Sequence, residues 1–296
     1  MYLPKLVKFI VERLAVAIMQ YYYKETTKIV VTFLIYQIII SYKCFFAVLR
    51  PKFCVMFFII LRPKLNCMKA VITGATKGIG RAIAIKLVQQ GYDVAVCART
   101  AADLELLAAE LRKSGNSVFT FKADCSLKDE VYAFCNAVKE TFGSIDVLVN
   151  NAGLFLPSAI FKEADDALES QLQLNLLAPY YMTKFFGKMM IEQSSGHIFT
   201  ICSVASRVIP ENAGSYGVTK SALLSLNDVW RRELSRHNIK VTAVLPGPTL
   251  TSSWAGTEIP PDRFVQAGDV ADMINAILNL SNGANVDEIL MKPLQF

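Results

Sequence analysis

Histidine is nearly missing from this chain, with two copies, His197 and His237, in 296 residues. The seven cysteines, at 44, 54, 67, 97, 125, 135 and 202, contain no Cys-x-x-Cys pair, so the spacings of a zinc site are excluded and no metal is expected. An odd, irregular set of cysteines also argues against a disulfide framework and for reduced thiols in a cytoplasmic protein. Long apolar runs are scarce too. A membrane span needs roughly 20 mostly apolar residues; the best run, Ile29–Ile40, has 12, and extending it to Leu49 buries Lys43. Beyond Met68 there is no internal repeat and no Pro/Gly/Ser-rich linker, which leaves one domain over 68–296.

The first 67 residues have no glycine and no aspartate, while all 15 glycines lie beyond Met68. Ten Lys and Arg against Glu12 and Glu25 give this head a net charge of +8, so the rest of the chain carries about −2. The basic pI is a property of the head, and no nucleic-acid partner is expected. A signal peptide fits poorly, because no small-residue cleavage site follows the apolar run. Two readings stay open for this apolar, basic extension. One is a membrane-associated segment, giving membrane contact and localisation only if residues 1–67 belong to the natural protein. The other, which the Ile, Phe, Tyr and Lys richness favours, is translation of A/T-rich DNA upstream of Met68.

From Met68 onward short apolar runs alternate with longer helical patterns. Strands are expected at Ala70–Thr73, Asp93–Ala98, Ser117–Lys122, Val147–Asn150, His197–Cys202, Lys240–Leu245 and Glu288–Met291. The helical stretches between them include Gly80–Gln90, Ala101–Ser114, Leu127–Phe142, Glu163–Glu192, Ser215–His237 and Gly268–Asn279. Strict alternation implies an α/β fold: a parallel sheet flanked by helices, its strands apolar on both faces.

The first strand runs into Gly74-Ala75-Thr76-Lys77-Gly78-Ile79-Gly80, and a helix follows at once. Gly74 permits the tight turn, Gly78 lets the backbone approach a pyrophosphate, and Gly80 allows close helix–strand packing. Free N–H groups at the helix start suit the phosphates. After strand two, where an NAD site wants a carboxylate for the ribose 2′-OH, the chain reads Cys97-Ala98-Arg99-Thr100. Arg99 and Lys77 suit a 2′-phosphate instead, which selects NADP(H). Farther on, Tyr216 and Lys220 stand four residues apart, on one face of a helix. An ammonium there is expected to lower the phenol's pKa from its ordinary ~10. Ser203, thirteen residues before Tyr216, is placed to donate to an oxygen on which charge develops.

Together with Asn150-Asn151-Ala152-Gly153, this ordered set resembles the short-chain dehydrogenase/reductase family over nearly all of 68–296, with bacterial 3-oxoacyl-acyl-carrier-protein reductases and sepiapterin-reductase-like members nearest in character. The resemblance implies a doubly wound Rossmann-type domain, seven parallel strands in order 3-2-1-4-5-6-7 with three helices on each face. It implies reversible reduction of a carbonyl with Tyr216 as proton donor and Lys220 on the nicotinamide ribose. Asn175 would complete the catalytic set by holding a water that links Lys220 to solvent. Asp124, in Ala123-Asp124-Cys125, would meet the adenine, though a helix-capping acid fits equally well. Asn151, Ala152 and Gly153 would support the sheet and the adenosine ribose. Pro246, Gly247 and either Thr249 or Thr251 would face the nicotinamide carboxamide. An apolar flap with Trp254, Ile259 and Phe264 is expected over 252–266, although each could equally pack in the core. The substrate would be a small-molecule carbonyl or acyl thioester, and the assembly a homodimer or homotetramer. One departure weakens the carrier-protein reading: the last strand ends Met291-Lys292-Pro293, without the Gly-Gly pair usual there. The rival from another class is a non-catalytic, cofactor-sensing or scaffold protein on the same fold. A sugar-nucleotide epimerase is excluded, because about 50 residues follow Pro246, too few for its substrate domain.

Overall fold

The computed structural model describes residues 67–295; both readings of the head lie outside them. Seven parallel strands form the sheet: β1 (Lys69–Thr73), β2 (Asp93–Ala98), β3 (Val118–Lys122), β4 (Val147–Asn150), β5 (Gly196–Ile201), β6 (Ile239–Pro246) and, last in the chain, β9 (Glu288–Met291). Their order is β3-β2-β1-β4-β5-β6-β9, as the resemblance implied. A separate two-stranded piece, β7 (Thr249–Leu250) with β8 (Val265–Gln266), had no signal in the sequence.

Alternation along each strand sends neighbours to opposite faces, and each face meets its own helices. Ala70, Ile72, Val94, Val96, Val147 and Val149 pack with α1 (Gly78–Gln89), α2 (Ala101–Leu111) and α7 (Ala267–Leu278). Val71, Ala95, Leu148 and Ile198 pack with α3 (Lys128–Phe142), α5 (Ala178–Gln193) and α6 (Gly214–Leu234). Three helices on each face is the expected arrangement. Phe134, Phe186, Ile83 and Leu87 are fully buried, and each such side chain contributes roughly 1.5–3 kcal/mol. Among the described residues no helix is long and apolar enough to cross a membrane.

One expected helix carries an irregular turn. The stretch read as helical over 163–192 begins at Ala167 and runs without interruption through α4 (Ala167–Leu172), a π-helical turn at Gln173–Leu177, and α5. Pro179 opens α5 and has no N–H to give the carbonyl four residues earlier, that of Asn175. The helix widens where Asn175 sits, and π turns recur at functional sites. Apolar periodicity runs through this turn, so the pattern alone could not show it.

Candidate functional site

The C-terminal ends of β1, β2, β4, β5 and β6 converge on one edge of the sheet, where open α/β sheets bind ligands. At its centre the glycine loop is tied down by backbone bonds: the N–H groups of Gly74 and Ala75 both donate to the Cys97 carbonyl, at 3.0 and 3.4 Å. Gly74 (φ +65°) and Gly78 (φ +54°) take the left-handed conformation that side chains disfavour. A Cβ on Gly80 would overlap the Asn151 amide and come within 2.5 Å of the Gly74 carbonyl. Asn151 fills the notch under the loop, its Nδ2 donating to the carbonyls of Thr73 (2.9 Å) and Gly74 (3.1 Å). Thr73 Oγ1 accepts from the N–H groups of Asn151 and Ala152, both at 3.0 Å. The loop, β1 and the end of β4 are one hydrogen-bonded unit.

This cradle fits a dinucleotide pyrophosphate. Helix α1 begins with no side-chain cap from Lys77 and no acid in its first turn, so its leading N–H groups and positive end remain for an anion. Gly78, Ile79 and Gly80 supply those groups, with Thr76 in the turn before them. The N–H groups of Gly74 and Ala75 are already committed and shape the loop. Thr251 rests on this loop, its methyl 2.9 Å from where a Gly78 Cβ would stand, while Thr249 Oγ1 turns away to donate to the Gly247 carbonyl at 2.8 Å. Of the two threonines, Thr251 is the one beside the cradle. Pro246 is buried at the end of β6, and the Gly247 N–H donates to the Met291 carbonyl at 2.7 Å, anchoring this turn to β9.

Arg99 is exposed at the end of β2. Lys77 Nζ stands 3.3 Å from the Asp103 carboxylate, so an acid is present there after all, on the helix and not on the strand. Asp124 accepts from the N–H (2.9 Å) and hydroxyl (2.7 Å) of Ser126 in the turn before α3, whose N-cap is Leu127 without a side-chain cap, so Asp124 is not the helix-capping acid. Cys125 is not a surface contact: its thiol lies 3.7 Å from that of Cys97, both buried under the sheet's edge. Its contribution to a cofactor site is limited to backbone.

Of the residues expected to react, Asn175 and Lys220 lie against Gly153, and Tyr216 lies beside Lys220. Ser203 caps a 3₁₀ turn, its Oγ accepting from the Ala205 N–H at 3.1 Å, which leaves the hydroxyl proton to donate elsewhere. Tyr216 and Lys220, on α6, face the same way, with Lys220 Nζ 5.9 Å from the centre of the Tyr216 ring. Lys220 is buried and donates to the Ile201 carbonyl at 2.8 Å; burial pushes its pKa down to about 8. The Tyr216 phenol was expected to sit below its ordinary pKa and instead sits above it. Burial is the main cause, and the Ser203 hydrogen bond pulls the other way without overcoming it. Lys220 donates to the Ile201 carbonyl and stands 5.9 Å from the ring centre, and at the phenol its charge does not outweigh burial. Asn175 is fully buried, with Nδ2 donating to the Leu154 carbonyl (2.9 Å) and Thr219 Oγ1 (3.1 Å), and Oδ1 accepting from the Leu154 N–H (2.7 Å). A Cβ on Gly153 would lie 3.3 Å from Asn175 Oδ1 and 3.6 Å from Lys220 Nζ, so all three are packed together.

This geometry accords with comparison to known proteins. A family model described as short chain dehydrogenase matches residues 68–259. The chain belongs to that family. This short-chain dehydrogenase is 31% identical over 225 residues to an uncharacterized oxidoreductase of Staphylococcus epidermidis, covering 76% of this chain and 96% of that one. An alcohol dehydrogenase of Thermococcus sibiricus, solved with 5-hydroxy-NADP, superposes with a TM-score of 0.72 at 28% identity over 77% of this chain and 97% of the other. The L-sorbose reductase of Gluconobacter frateurii, solved with NADPH and L-sorbose, gives 0.72 at 25% identity, over 77% and 95%. The chain is therefore an oxidoreductase of the short-chain dehydrogenase type.

Three neighbours of these side chains carry no signal in the sequence pattern. Asp103 stands on α2, beyond the strand end where the acid of an NAD site is expected. Glu163 accepts from the Ser215 N–H (2.8 Å) and from its hydroxyl, clamping the start of α6 beside Tyr216. Phe155 packs edge-on against the Tyr216 ring, centroids 4.7 Å apart. The last two contacts join segments about 50–60 residues apart and leave no local pattern. Trp254 and Phe264, expected in the flap or the core, pack on each other at 5.1 Å with Phe264 buried, while Ile259 is half-buried.

Proposed function

We propose that this short-chain dehydrogenase reduces a carbonyl to a secondary alcohol using NADPH, with Tyr216 as proton donor. The observation that carries the reading is Tyr216 and the buried Lys220 facing the same way on α6, the amine 5.9 Å from the ring centre, at the mouth of a dinucleotide cradle. The nicotinamide, when bound, supplies the hydride to the carbonyl carbon. Ser203 donates a hydrogen bond to the carbonyl oxygen as negative charge develops there. Tyr216 then gives that oxygen its phenolic proton, which closes the balance of one hydride and one proton. A phenol held above its ordinary pKa keeps its proton at neutral pH and is suited to start as the acid. Lys220, charged below about pH 8, stabilises the phenolate left behind and holds the nicotinamide ribose. Asn175 fixes the Gly153–Leu154 turn over Lys220. Its main-chain carbonyl, denied an α-helical donor by Pro179, accepts the water through which the proton is resupplied. The wall beside Tyr216 is apolar, with Phe155 against the ring and Ile209 against Gly217, and this suits ketone or acyl-thioester substrates, 3-oxoacyl thioesters among them.

Cofactor choice rests on Arg99 and Lys77 beside the adenosine ribose. NADPH is expected to exceed NADH in kcat/KM, with Arg99→Asp narrowing or inverting that preference, followed as loss of cofactor absorbance against a panel of ketones and quinones. Equal use of both cofactors by the unaltered enzyme would sink the claim. Cofactor binding without turnover of any carbonyl would favour the cofactor-sensing reading instead.

The homo-oligomer reading extends to the surface of α5 and α6. Tyr180, Tyr181, Phe185 and Leu226 are only partly buried, and Val229 is 48% exposed. An isologous dimer or a tetramer burying them is expected; light scattering that finds only monomer at micromolar concentration would refute it. A cytoplasmic location belongs to the same reading, since the irregular cysteine spacing suits a reducing compartment.

A further inference from the structure

We propose that Asp103 sets the degree of cofactor discrimination, by competing with the ribose 2′-phosphate for Lys77. The inference rests on the NADPH reading above and adds a residue to it. Arg99 follows the last residue of β2, Thr100 precedes α2, and Asp103 lies in the first turn of that helix. Lys77 precedes α1 and reaches across to Asp103 at 3.3 Å, its own side chain two-thirds exposed and that of Asp103 about one-third. With Arg99 just beyond β2, this corner of the sheet edge carries two cations and one anion, a net charge of +1 where Arg99 and Lys77 alone would give +2.

An anion already paired with Lys77 acts against a 2′-phosphate in two ways. It must share the ammonium when the phosphate arrives, and it repels the phosphate directly. A ribose carrying a plain 2′-OH meets neither effect, and the carboxylate can accept from that hydroxyl as strand-end acids do in NAD sites. Asp103 thus works as a brake on NADPH preference, and Arg99 with Lys77 as its drive.

A second ion pair joins the same two helices without touching the pocket. Arg81 and Glu110 meet at 2.5 Å, one turn farther along α1. Loss of the Asp103 charge leaves the helices joined, and Glu110→Gln serves as a control for helix docking.

The test is calorimetric titration of the full chain with 2′,5′-ADP and 5′-AMP, which differ only by the 2′-phosphate and report on this pocket without turnover. Asp103→Asn is expected to tighten 2′,5′-ADP about three- to tenfold while 5′-AMP stays within twofold or weakens. Glu110→Gln should leave the ratio unchanged, and Asp103→Asn placed on a Lys77→Met background should recover less than half of its gain. If the unaltered chain favours 2′,5′-ADP and Asp103→Asn does not raise that preference, the role of Asp103 is overturned while the NADPH reading stands. If the unaltered chain binds both fragments equally and Asp103→Asn creates a preference, the NADPH reading falls and the brake is confirmed. Equal binding before and after the substitution overturns both.

Discussion

Replacing Tyr216 by phenylalanine is expected to lower kcat about a thousandfold while the Kd for NADPH changes less than threefold. The ring stays, so its edge-on packing with Phe155 stays. Only the hydroxyl goes, and with it the proton that the carbonyl oxygen must receive. Fold and cofactor cradle depend on neither, since the glycine loop is held by Asn151, Thr73 and Cys97. The measurement pairs single-turnover kinetics with a fluorescence titration of the cofactor. A variant retaining a tenth or more of the original kcat would show that another group delivers the proton.

The second large effect belongs to Lys220. Lys220→Ala should reduce kcat/KM about a hundredfold and weaken NADPH about tenfold, because one side chain serves both phenol and ribose. The unaltered enzyme should also show its mark in pH. Burial lowers the pKa of this amine from 10.5 to about 8, so kcat/KM for carbonyl reduction should fall as pH rises through about 8 and the ammonium is lost. Stability runs in the opposite direction. The unfolded chain binds this proton more tightly than the folded one, so the lysine's contribution to stability rises between about pH 8 and pH 10.5; the charged, buried amine costs on the order of 3 kcal/mol below that window. A profile for the free enzyme that stays flat from pH 6 to 10 would remove Lys220 from the role assigned to it.

Most of the domain was legible from residue pattern. Strands such as Val147–Asn150 and Asp93–Ala98 are apolar on both faces, and a run of that kind between turn residues has few other places to go. The motifs carried by a single turn were equally plain: Gly74 to Gly80 needs one loop, and Tyr216 with Lys220 needs one helical turn. What escaped depended on contacts between segments. Asp103 reads as an ordinary first-turn acid until Lys77 is placed against it. Asn175 does lie within a long helix, but the π turn at its position was not legible from apolar periodicity, although Pro179 four places on held a sign of it. The Tyr216 pKa was misjudged because spacing along a helix gives the direction of Lys220 and not where its amine points. In the structure that amine turns to Ile201, and burial decides the outcome.

The fastening of the glycine loop has a consequence for how tightly the cofactor can be held. Thr73 Oγ1, Asn151 Nδ2 and the Cys97 carbonyl together make seven backbone-directed contacts whose partners are the sheet's own strand ends and loop. These bonds form when the domain folds, before any phosphate arrives. The loop therefore has little disorder left to lose on binding, and the ordering cost that a floppy phosphate grip would subtract from affinity has been met already. The same economy removes a degree of freedom from evolution. A change at Thr73 or Asn151 meant to loosen the grip would also slacken the joint between two central strands, so affinity and thermal endurance can be adjusted only together at those two positions.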